Sequence, residues 1–455
     1  MKASFTRGGR RPRIESLVTF GLTVIVVTLS GPLQAQDTQF VPFNAFLSSV
    51  QAQNVSLIPP GTNVQSAADF AQMRQYILTL YQGVQVSHSF LDDSSTFDCV
   101  PINQQPSVRM LGLTSIESLP PAPVGSPDTG SGGVAPGSPA EASQIDPSQT
   151  RDPFGNEIGC GAGTIPMRRV TLEEMTQFAT VSQFLQKGPD GGGQPIAPGI
   201  APVGPAPVTP SHKYAFMFQN VANWGGNSNI NLWSPFVNTA LGEVFSLSQE
   251  WYVTGSGASQ QTAEVGWQNF PGKYGSQKSR LFIFWTANGY RGIGCYNLDC
   301  PGFVQVSNVA RLGGTFTHYS TIGGTQYEFA AEYYLYRDNW WLAYQGQWLG
   351  YYPKSVYNGG RLPGGASLIE FGTEGVGTNI WPAEGSGRFA TAGWTFAADQ
   401  RNLFYVTNPA GTTAWDALTP SNPSPRCYDT TGPSFAAVRL WGVYFFVGGP
   451  GGVGC

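Results

Sequence analysis

Short apolar runs separated by turn-forming residues dominate the second half of the chain, from His212 onward. The runs alternate in polarity or are rich in aromatic and β-branched residues, which is typical of strands. Gly, Asn or Pro lies between them, and residues 337–339 predict a hairpin turn. Many short strands without intervening helices predict an all-β domain, a β-sandwich or a barrel. The runs are residues 213–218, 230–233, 244–253, 281–286, 303–306, 314–318, 327–336, 340–344 and 367–371.

The composition agrees with a turn-rich fold and excludes one large class of function. Only 11% of the 455 residues are charged, whereas 58 are glycine and 35 are proline. The formal net charge is −4, and basic residues cluster only at the extreme N-terminus. A nucleic-acid backbone would therefore find no basic surface, and we expect no nucleic-acid partner.

The N-terminus has the pattern of an export signal. Five basic residues precede the apolar segment 17–29, and Leu33-Gln34-Ala35 offers a small-residue cleavage site. The apolar segment is too short to span a bilayer comfortably. We therefore expect residues 1–35 to be a cleaved signal peptide, and the protein to be secreted, extracellular or periplasmic, without a membrane anchor afterwards.

Residues 36–187 differ in character from the β-rich part. Ser66 and Thr171 each begin a capping pattern, followed by apolar residues at helical spacing, so this smaller region is predicted to be partly helical. A Pro/Gly/Ser-rich insert at about 119–148 has little apolar content and is predicted to be disordered. Residues 188–210 are nearly all Gly, Pro, Ala and Val, which predicts an exposed linker and a domain boundary.

Six cysteines lie in the chain, two before this linker and four after it, and an even number on each side favours disulfides within each part of an exported protein. Cys295–Cys300 and Cys427–Cys455 are the pairs we expect after it, leaving Cys99–Cys160 before it. Other connectivities are formally possible, and metal ligation is the competing interpretation. The three histidines are scattered, however, and no cluster has zinc-like spacing, so we expect neither a metal nor another cofactor.

Two glutamates are the best candidates for chemistry. GxSxG, HExxH and P-loop motifs are all missing from the sequence. Glu264 lies in Glu-Val-Gly-Trp and Glu374 in Thr-Glu-Gly-Val, both rare carboxylates among glycines and aromatics. Facing each other on one concave sheet, they would titrate as a coupled pair, one acid and one base. The competing interpretation is that each carboxylate only binds a turn or pairs with an arginine.

Ordered motifs occur in both halves of the chain. In the β-rich half they include Phe245-Ser246-Leu247-Ser248-Gln249, Glu264-Val265-Gly266-Trp267, residues 294–298 and 300–305, and Gly372 to Val376. In the N-terminal half they are Asp98-Cys99-Val100 and residues 163–169. Together these motifs resemble the neprosin family of secreted glutamic peptidases, and those in the N-terminal half resemble the propeptide of that family.

The resemblance implies a zymogen with a propeptide at 36–187 and a β-sandwich peptidase domain at 211–455. It implies catalytic glutamates at Glu264 and Glu374, with cleavage after proline at acidic pH, and hence protein or peptide substrates. The propeptide would act as inhibitor, and linker prolines at 188–210 suggest self-cleavage. One departure is Glu250, where we expect an apolar residue; it would shift the titration of the pair or face solvent.

Two other functions stay open from the residues alone. A β-sandwich glycoside hydrolase also uses paired glutamates. A non-catalytic secreted binding module would hold Glu264 and Glu374 far apart, or pair them with arginines. We expect a monomer in each case.

Overall fold

A computed structural model describes residues 40–127, 139–146, 148–187, 210–438 and 441–455. The predicted signal peptide and linker residues 188–209 lie outside the described residues. Phe40–Cys455 form one compact unit, so the predicted propeptide packs directly onto the β-rich part. The sequence predicts a boundary at the linker, and this stays a prediction that the chain is cut there by proteolysis.

The described chain contains 23 strands and six α-helices, with six short 3-10 helices between them. The strands are β1 (Ser89–Asp92), β2 (Ser95–Pro101), β3 (Ala140–Glu141), β4 (Thr164–Arg168), β5 (Ser211–Gln219), β6 (Gly225–Asn231), β7 (Glu243–Thr254), β8 (Gln261–Asn269), β9 (Arg280–Thr286), β10 (Gly294–Tyr296), β11 (Val304–Gln305), β12 (Tyr327–Tyr336), β13 (Asn339–Tyr344), β14 (Gln347–Tyr352), β15 (Leu368–Gly377), β16 (Ile380–Trp381), β17 (Ala398–Val406), β18 (Thr413–Trp415), β19 (Thr419–Ser421), β20 (Asp429–Thr430), β21 (Ser434–Ala436), β22 (Gly442–Gly448) and β23 (Gly452–Val453). The helices are α1 (Phe43–Gln51), α2 (Ala67–Leu80), α3 (Pro106–Met110), α4 (Leu172–Met175), α5 (Val181–Leu185) and α6 (Pro271–Tyr274).

Two large sheets form the sandwich, which confirms the predicted all-β fold. The first has the strand order β10-β9-β8-β7-β15-β5-β19, and all its pairs are antiparallel. The second follows the order β11-β14-β13-β12-β6-β17-β22-β20, with β3, β18 and β21 added at its sides. Strands β5 to β23 all come from the half of the chain in which the sequence predicts strands.

Alternating side chains on β8 show how the first sheet divides its two faces. Ala263, Val265 and Trp267 lie in the core against the second sheet, and the Trp267 Nε1–H donates to the Asn231 carbonyl there at 2.9 Å. Residues of even number, including Glu264, lie on the opposite face. Trp340 and Tyr351 are likewise buried among apolar residues. The side chains of Trp267, Trp340 and Tyr351 therefore contribute to core packing.

The N-terminal region contains the predicted helices and a small sheet of β1, β2 and β4. The Ser66 hydroxyl accepts the Asp69 N–H at the start of α2, and Thr171 with Glu174 forms a complete capping box on α4. These contacts satisfy backbone donors that a helix leaves free at its first turn. The helical part of the prediction is therefore confirmed.

The insert differs from the sequence expectation wherever it is described. Strand β3 pairs in parallel with β12, the Val124 N–H donates to Glu332, and the Trp348 indole donates to the Pro121 carbonyl. Low apolar content predicted disorder, but backbone hydrogen bonds to a preformed sheet hold these segments. Residues 128–138 and 147 of the insert lie outside the described residues.

Three disulfides have the predicted pairing: Cys99–Cys160, Cys295–Cys300 and Cys427–Cys455. Their Cα–Cα distances of 5.4, 6.2 and 4.9 Å suit disulfide geometry. No helix in the described part of the chain is long and apolar enough to cross a membrane.

Candidate active site

The two predicted glutamates lie on one face of the first sheet, on strands separated by β7. Glu264 on β8 is opposite Trp251 of β7, and Trp251 is in turn opposite Glu370 of β15. Glu374 lies four residues farther along β15, on the same face because four is an even number of residues. Both side chains are buried, at 0% and 2% exposure. We call this face, with the space above it, the cleft.

A lysine from the predicted propeptide joins the two carboxylates. The Lys187 ammonium lies 2.7 Å from Oε2 of Glu264 and 3.1 Å from Oε2 of Glu374. It also donates to Oε1 of Gln249 at 2.9 Å. Burial alone would lower the pKa of Lys187, but the two glutamates outweigh it and raise that pKa. The amine is therefore a buried cation that directly joins both acids.

Glu374 has a second nitrogen neighbour, the imidazole of His212. Nδ1 of His212, on β5, lies 2.5 Å from Oε1 of Glu374, so each oxygen of this carboxylate faces a nitrogen. Burial would raise the pKa of Glu374, but Lys187 and His212 outweigh it and lower the pKa to about 2. Glu374 is thus held as the carboxylate. The imidazole of His212 is itself positioned by ring contacts with Tyr214 and Phe245.

Besides the charged amine of Lys187, Glu264 has two neutral hydrogen-bond donors. The Tyr290 hydroxyl donates to its Oε1 at 2.7 Å, and the Thr262 hydroxyl donates to the same oxygen at 2.8 Å. Burial, followed by the charge of Glu264, raises the pKa of Tyr290 well above its usual value, so this phenol remains a donor. The two glutamates therefore differ chemically, because one faces an imidazole and the other faces hydroxyls.

An aromatic cavity of about 320 Å³ continues from the carboxylates along the cleft. Its walls include the rings of Tyr214, Phe216, Trp251 and Tyr290. Glu370 also lines it, and burial together with the charge of Glu264 raises the pKa of Glu370 to about 7. The cavity therefore presents flat apolar surfaces and a carboxyl group that is protonated in acid.

The structure brings together the predicted pair but corrects the expectation for Glu250. Glu250 is fully buried on the opposite face of β7, and neither of its oxygens has a hydrogen-bond partner within the described residues. Burial raises the pKa of Glu250 well above its usual value. It neither faces solvent nor reaches the pair, because adjacent residues of a strand point to opposite faces.

Sequence reasoning missed Lys187, His212 and Gln249. Lys187 is the last charged residue before the Pro/Gly linker, and His212 is the first titratable residue after it. Nothing in the local pattern of either residue distinguishes it from a solvated charge. Gln249 lies within the motif Phe245 to Gln249, on a predicted strand. Strand alternation puts it on the same face as Leu247, which lies opposite Glu374, but the sequence alone did not give that pairing.

The described residues contain no group of three or more His, Cys, Asp or Glu side chains that could hold a metal ion. The ionisable groups nearest to the two glutamates are instead an ammonium, an imidazole and phenols. Their arrangement can hold one carboxylate ionised and supply hydrogen bonds to the other. It is suited to proton transfer between two carboxyl groups.

Comparison with known proteins gives a match to a family model and a weak structural likeness. The neprosin family model matches residues 242–450, which include both glutamates. Crystal structures of scytalido-glutamic peptidase align with the chain: one holds a transition-state-analog inhibitor (TM-score 0.29, 10% identity), another a peptide-based analog (TM-score 0.27, 9% identity). Each alignment covers 52% of this chain and 98% of the peptidase, and scores this low carry no argument about function. The part of the chain that is similar to the neprosin family is therefore the segment 242–450, in the β-rich half.

Proposed function

We propose that this protein is a secreted glutamic endopeptidase, synthesised as a zymogen, that hydrolyses peptide bonds at acidic pH with two glutamates and a water. The observation that carries the proposal is the meeting of Glu264 and Glu374 at one buried ammonium. Two carboxylates that share one small cation in the precursor can share one water or one proton without it. The match of residues 242–450 to the neprosin family model supports a peptidase-like function.

The different neighbours of the two glutamates suggest their roles. Glu374, held as the carboxylate beside His212, is the base: it takes a proton from water while the water oxygen attacks the peptide carbonyl carbon. Glu264, supplied with neutral hydroxyl donors, is the acid: its proton polarises the carbonyl and then passes to the leaving amine. The C–N bond breaks, and the proton gained by Glu374 restores the shared-proton state.

The position of Lys187 supports a latent precursor as part of this proposal. Its ammonium occupies the point between both carboxylates, which the attacking water requires in this mechanism. Gln186 helps to hold the segment, because its amide donates to the Gly294 carbonyl at 2.9 Å. The propeptide is therefore the inhibitor in this proposal, and release of Lys187 is the activating event.

The aromatic cavity supports a preference for proline. A pyrrolidine ring is compact and apolar, and Tyr214, Phe216 and Trp251 offer ring faces and edges beside the carboxylates. Substrates are then proline-containing proteins or peptides. The linker at 188–210 contains such prolines, so incubation of the precursor in acid is expected to shorten it there.

The experiment compares the wild type with Glu264→Gln and Glu374→Gln on casein and on proline-containing peptides from pH 3 to 8. We expect each variant to lose about 10²–10⁴-fold in kcat, which is the usual contribution of proton transfer by a positioned group. Sequencing the product termini tests the proline preference. Melting temperatures check that both variants are folded.

Two results would contradict the proposal. Ordinary activity in either glutamine variant would remove the glutamates from the mechanism. Cleavage of polysaccharides with no cleavage of casein would favour a glycoside hydrolase. Self-processing is judged separately: if the double variant Glu264→Gln/Glu374→Gln shortens as fast as the wild type, another peptidase cuts the linker.

A further inference from the structure

Gln249 lies at the centre of the cleft floor, between the two glutamates. The register places it opposite Gly266 on β8 and Gly372 on β15. Glu264 is two residues from Gly266, and Glu374 is two residues from Gly372, so the Cα position of Gln249 lies between those of the two glutamates. Both cross-strand neighbours lack side chains. Within this row of the sheet, the amide is therefore not covered by an adjacent strand.

Gly266 also protects the position of the glutamine. A Cβ atom at residue 266 would lie 2.6 Å from the Cβ of Gln249, closer than such atoms pack. A larger residue at 266 would therefore displace Gln249 from the floor. The Glu-Val-Gly-Trp motif thus carries two features of the cleft: the carboxylate of Glu264 and the space beside Gln249.

The two ends of the Gln249 amide have different partners. Its Oε1 accepts from the Lys187 ammonium at 2.9 Å, and an ammonium can only donate, so the oxygen must face it. Its Nε2 is fully buried and has no hydrogen-bond partner within the described residues. An unsatisfied buried donor costs about 1–3 kcal/mol. Such a donor beside two catalytic candidates indicates a partner that arrives with the substrate.

We propose that Gln249 is a further catalytic residue, whose side-chain N–H donates to the substrate carbonyl oxygen as negative charge develops on it. The inference rests on the proposed function. As the water oxygen bonds to the carbonyl carbon, the π electron pair moves to the carbonyl oxygen, and the water proton passes to Glu374. The Nε2–H bond of Gln249 remains intact and only strengthens its hydrogen bond.

The contacts of Lys187 show that one atom at this point can reach all three groups. Its ammonium touches Glu264, Glu374 and Gln249 together. A tetrahedral reaction centre at the same point would be within reach of a base, an acid and an amide donor. Once the ammonium has left, the Gln249 amide is free to turn its N–H toward this point. Preorganised donors of this kind are often the largest single contribution to acyl-transfer catalysis.

The test is Gln249→Met in the full chain, activated by cutting the linker with an added peptidase. Methionine has a similar volume but no N–H donor. We expect kcat to fall about 10²–10³-fold, the usual loss for one such donor, with KM changed less than about threefold. Both limbs of the pH–rate profile should keep their positions, because an amide does not titrate. Affinity for a peptide aldehyde should fall in parallel with kcat/KM.

Gln347→Met is the control, because Gln347 is an exposed glutamine at the start of β14, and we expect wild-type kinetics for it. A folded Gln249→Met enzyme with wild-type kcat, or with a change in KM only, would overturn the inference. If the wild type shows no cleavage that depends on Glu264 and Glu374, the proposed function itself fails. If those dependences hold and Gln249→Met is fully active, only the role of Gln249 fails.

Discussion

At the scale of single residues, the ammonium of Lys187 occupies the cleft between the two glutamates. It is 3% exposed and contacts two carboxylates, and the rings of Trp251 and Phe282 lie 5.5 and 5.8 Å from it. A buried cation and two buried anions stabilise one another. Removal of any one of them leaves a buried charge without a partner, which is strongly destabilising. Under the proposed function, Lys187 therefore stabilises the precursor and blocks the site by the same contacts.

Replacement of Lys187 tests this residue directly. Lys187→Met keeps the length of the side chain but removes the charge, so the carboxylates lose their common partner. We expect the intact precursor of this variant to cleave a fluorogenic peptide at least about tenfold faster than the intact wild type, since breaking a buried ion pair costs about 3–5 kcal/mol. The measurement is the initial rate, with gels showing that the chain is uncut.

Lys354→Met is the matched control, because the Lys354–Asp338 pair is 64% and 58% exposed and such pairs contribute little. It should be as latent as the wild type. Equal latency of Lys187→Met and wild type would mean that other parts of the propeptide block the cleft.

At the scale of elements, the hairpin of β1 and β2 attaches the N-terminal region to the β-rich part of the chain. Its turn places Asp93 at a positive φ of 54° and directs polar groups at a buried arginine. The Arg280 guanidinium donates to Asp93 at 3.0 Å, to Ser94 at 2.9 Å and to Ser95 at 3.2 Å. Nearby, Asp92 accepts from Arg311. Loss of the hairpin would therefore leave Arg280 with few partners.

Under the proposed function, the hairpin predicts that acid weakens the docking of the N-terminal region, the proposed propeptide. Burial would raise the pKa of Asp93, but Ser276, Arg280 and Lys278 outweigh it and lower that pKa. A lowered pKa means that docking is strongest above the ordinary value for aspartate and weakens as pH falls through the lowered one. In the linker-cut full chain, Asp93→Asn should release the propeptide at higher pH than the wild type, with at least about tenfold weaker binding at pH 5.

Size-exclusion chromatography across pH measures this release. Asp338→Asn, which removes the exposed partner of Lys354, should leave the profile unchanged. If Asp93→Asn dissociates at the same pH as the wild type, the hairpin is not the acid-sensitive contact.

At the scale of the whole molecule, buried carboxyl groups with raised pKa values favour the folded state at acidic pH. Burial raises the pKa of Glu332 to about 8 and that of Asp399 to about 7, the latter despite Arg401. It raises the pKa values of Glu250, Glu384 and Asp416 well above their usual range. The folded state therefore retains protons that the unfolded chain would release.

This proton balance predicts the pH dependence of stability. Groups with raised pKa values contribute stability that is full below about pH 4 and is lost as pH rises toward 7–8. Groups with lowered pKa values, such as Asp93 and Asp299, contribute stability that is lost as pH falls below about 4. The free energy of unfolding should therefore be largest at about pH 4–5 and decline to pH 8.

Chemical denaturation at fixed pH measures this curve, in a Glu374→Gln background that prevents self-cleavage. Adding Glu250→Gln removes one such group and should raise stability at pH 8 by about 1 kcal/mol or more, relative to its effect at pH 4, because one pKa unit corresponds to about 1.4 kcal/mol. Glu173→Gln, at an exposed position, should have no such effect. Greater stability at pH 8 than at pH 5 would contradict the prediction.

The sequence determined much that is local. Period-two alternation predicted the strands, capping residues predicted α2 and α4, and cysteine spacing predicted the disulfides. Scarce charge made Glu264 and Glu374 stand out, because a carboxylate among glycines and aromatics has few structural roles. Each of these signals depends on neighbours along the chain.

Only the tertiary structure decided which side chains meet. The faces of Glu264 and Glu374 coincide because of their register across β7, and a shift of one residue would have buried either one in the core. The same alternation separates Gln249, in the cleft, from Glu250, inside the sandwich. Lys187 reaches the carboxylates from a segment 77 residues before Glu264, and no local pattern encodes such a contact. Strand pairing and docking depend on distant partners, which the order of residues within one strand does not specify.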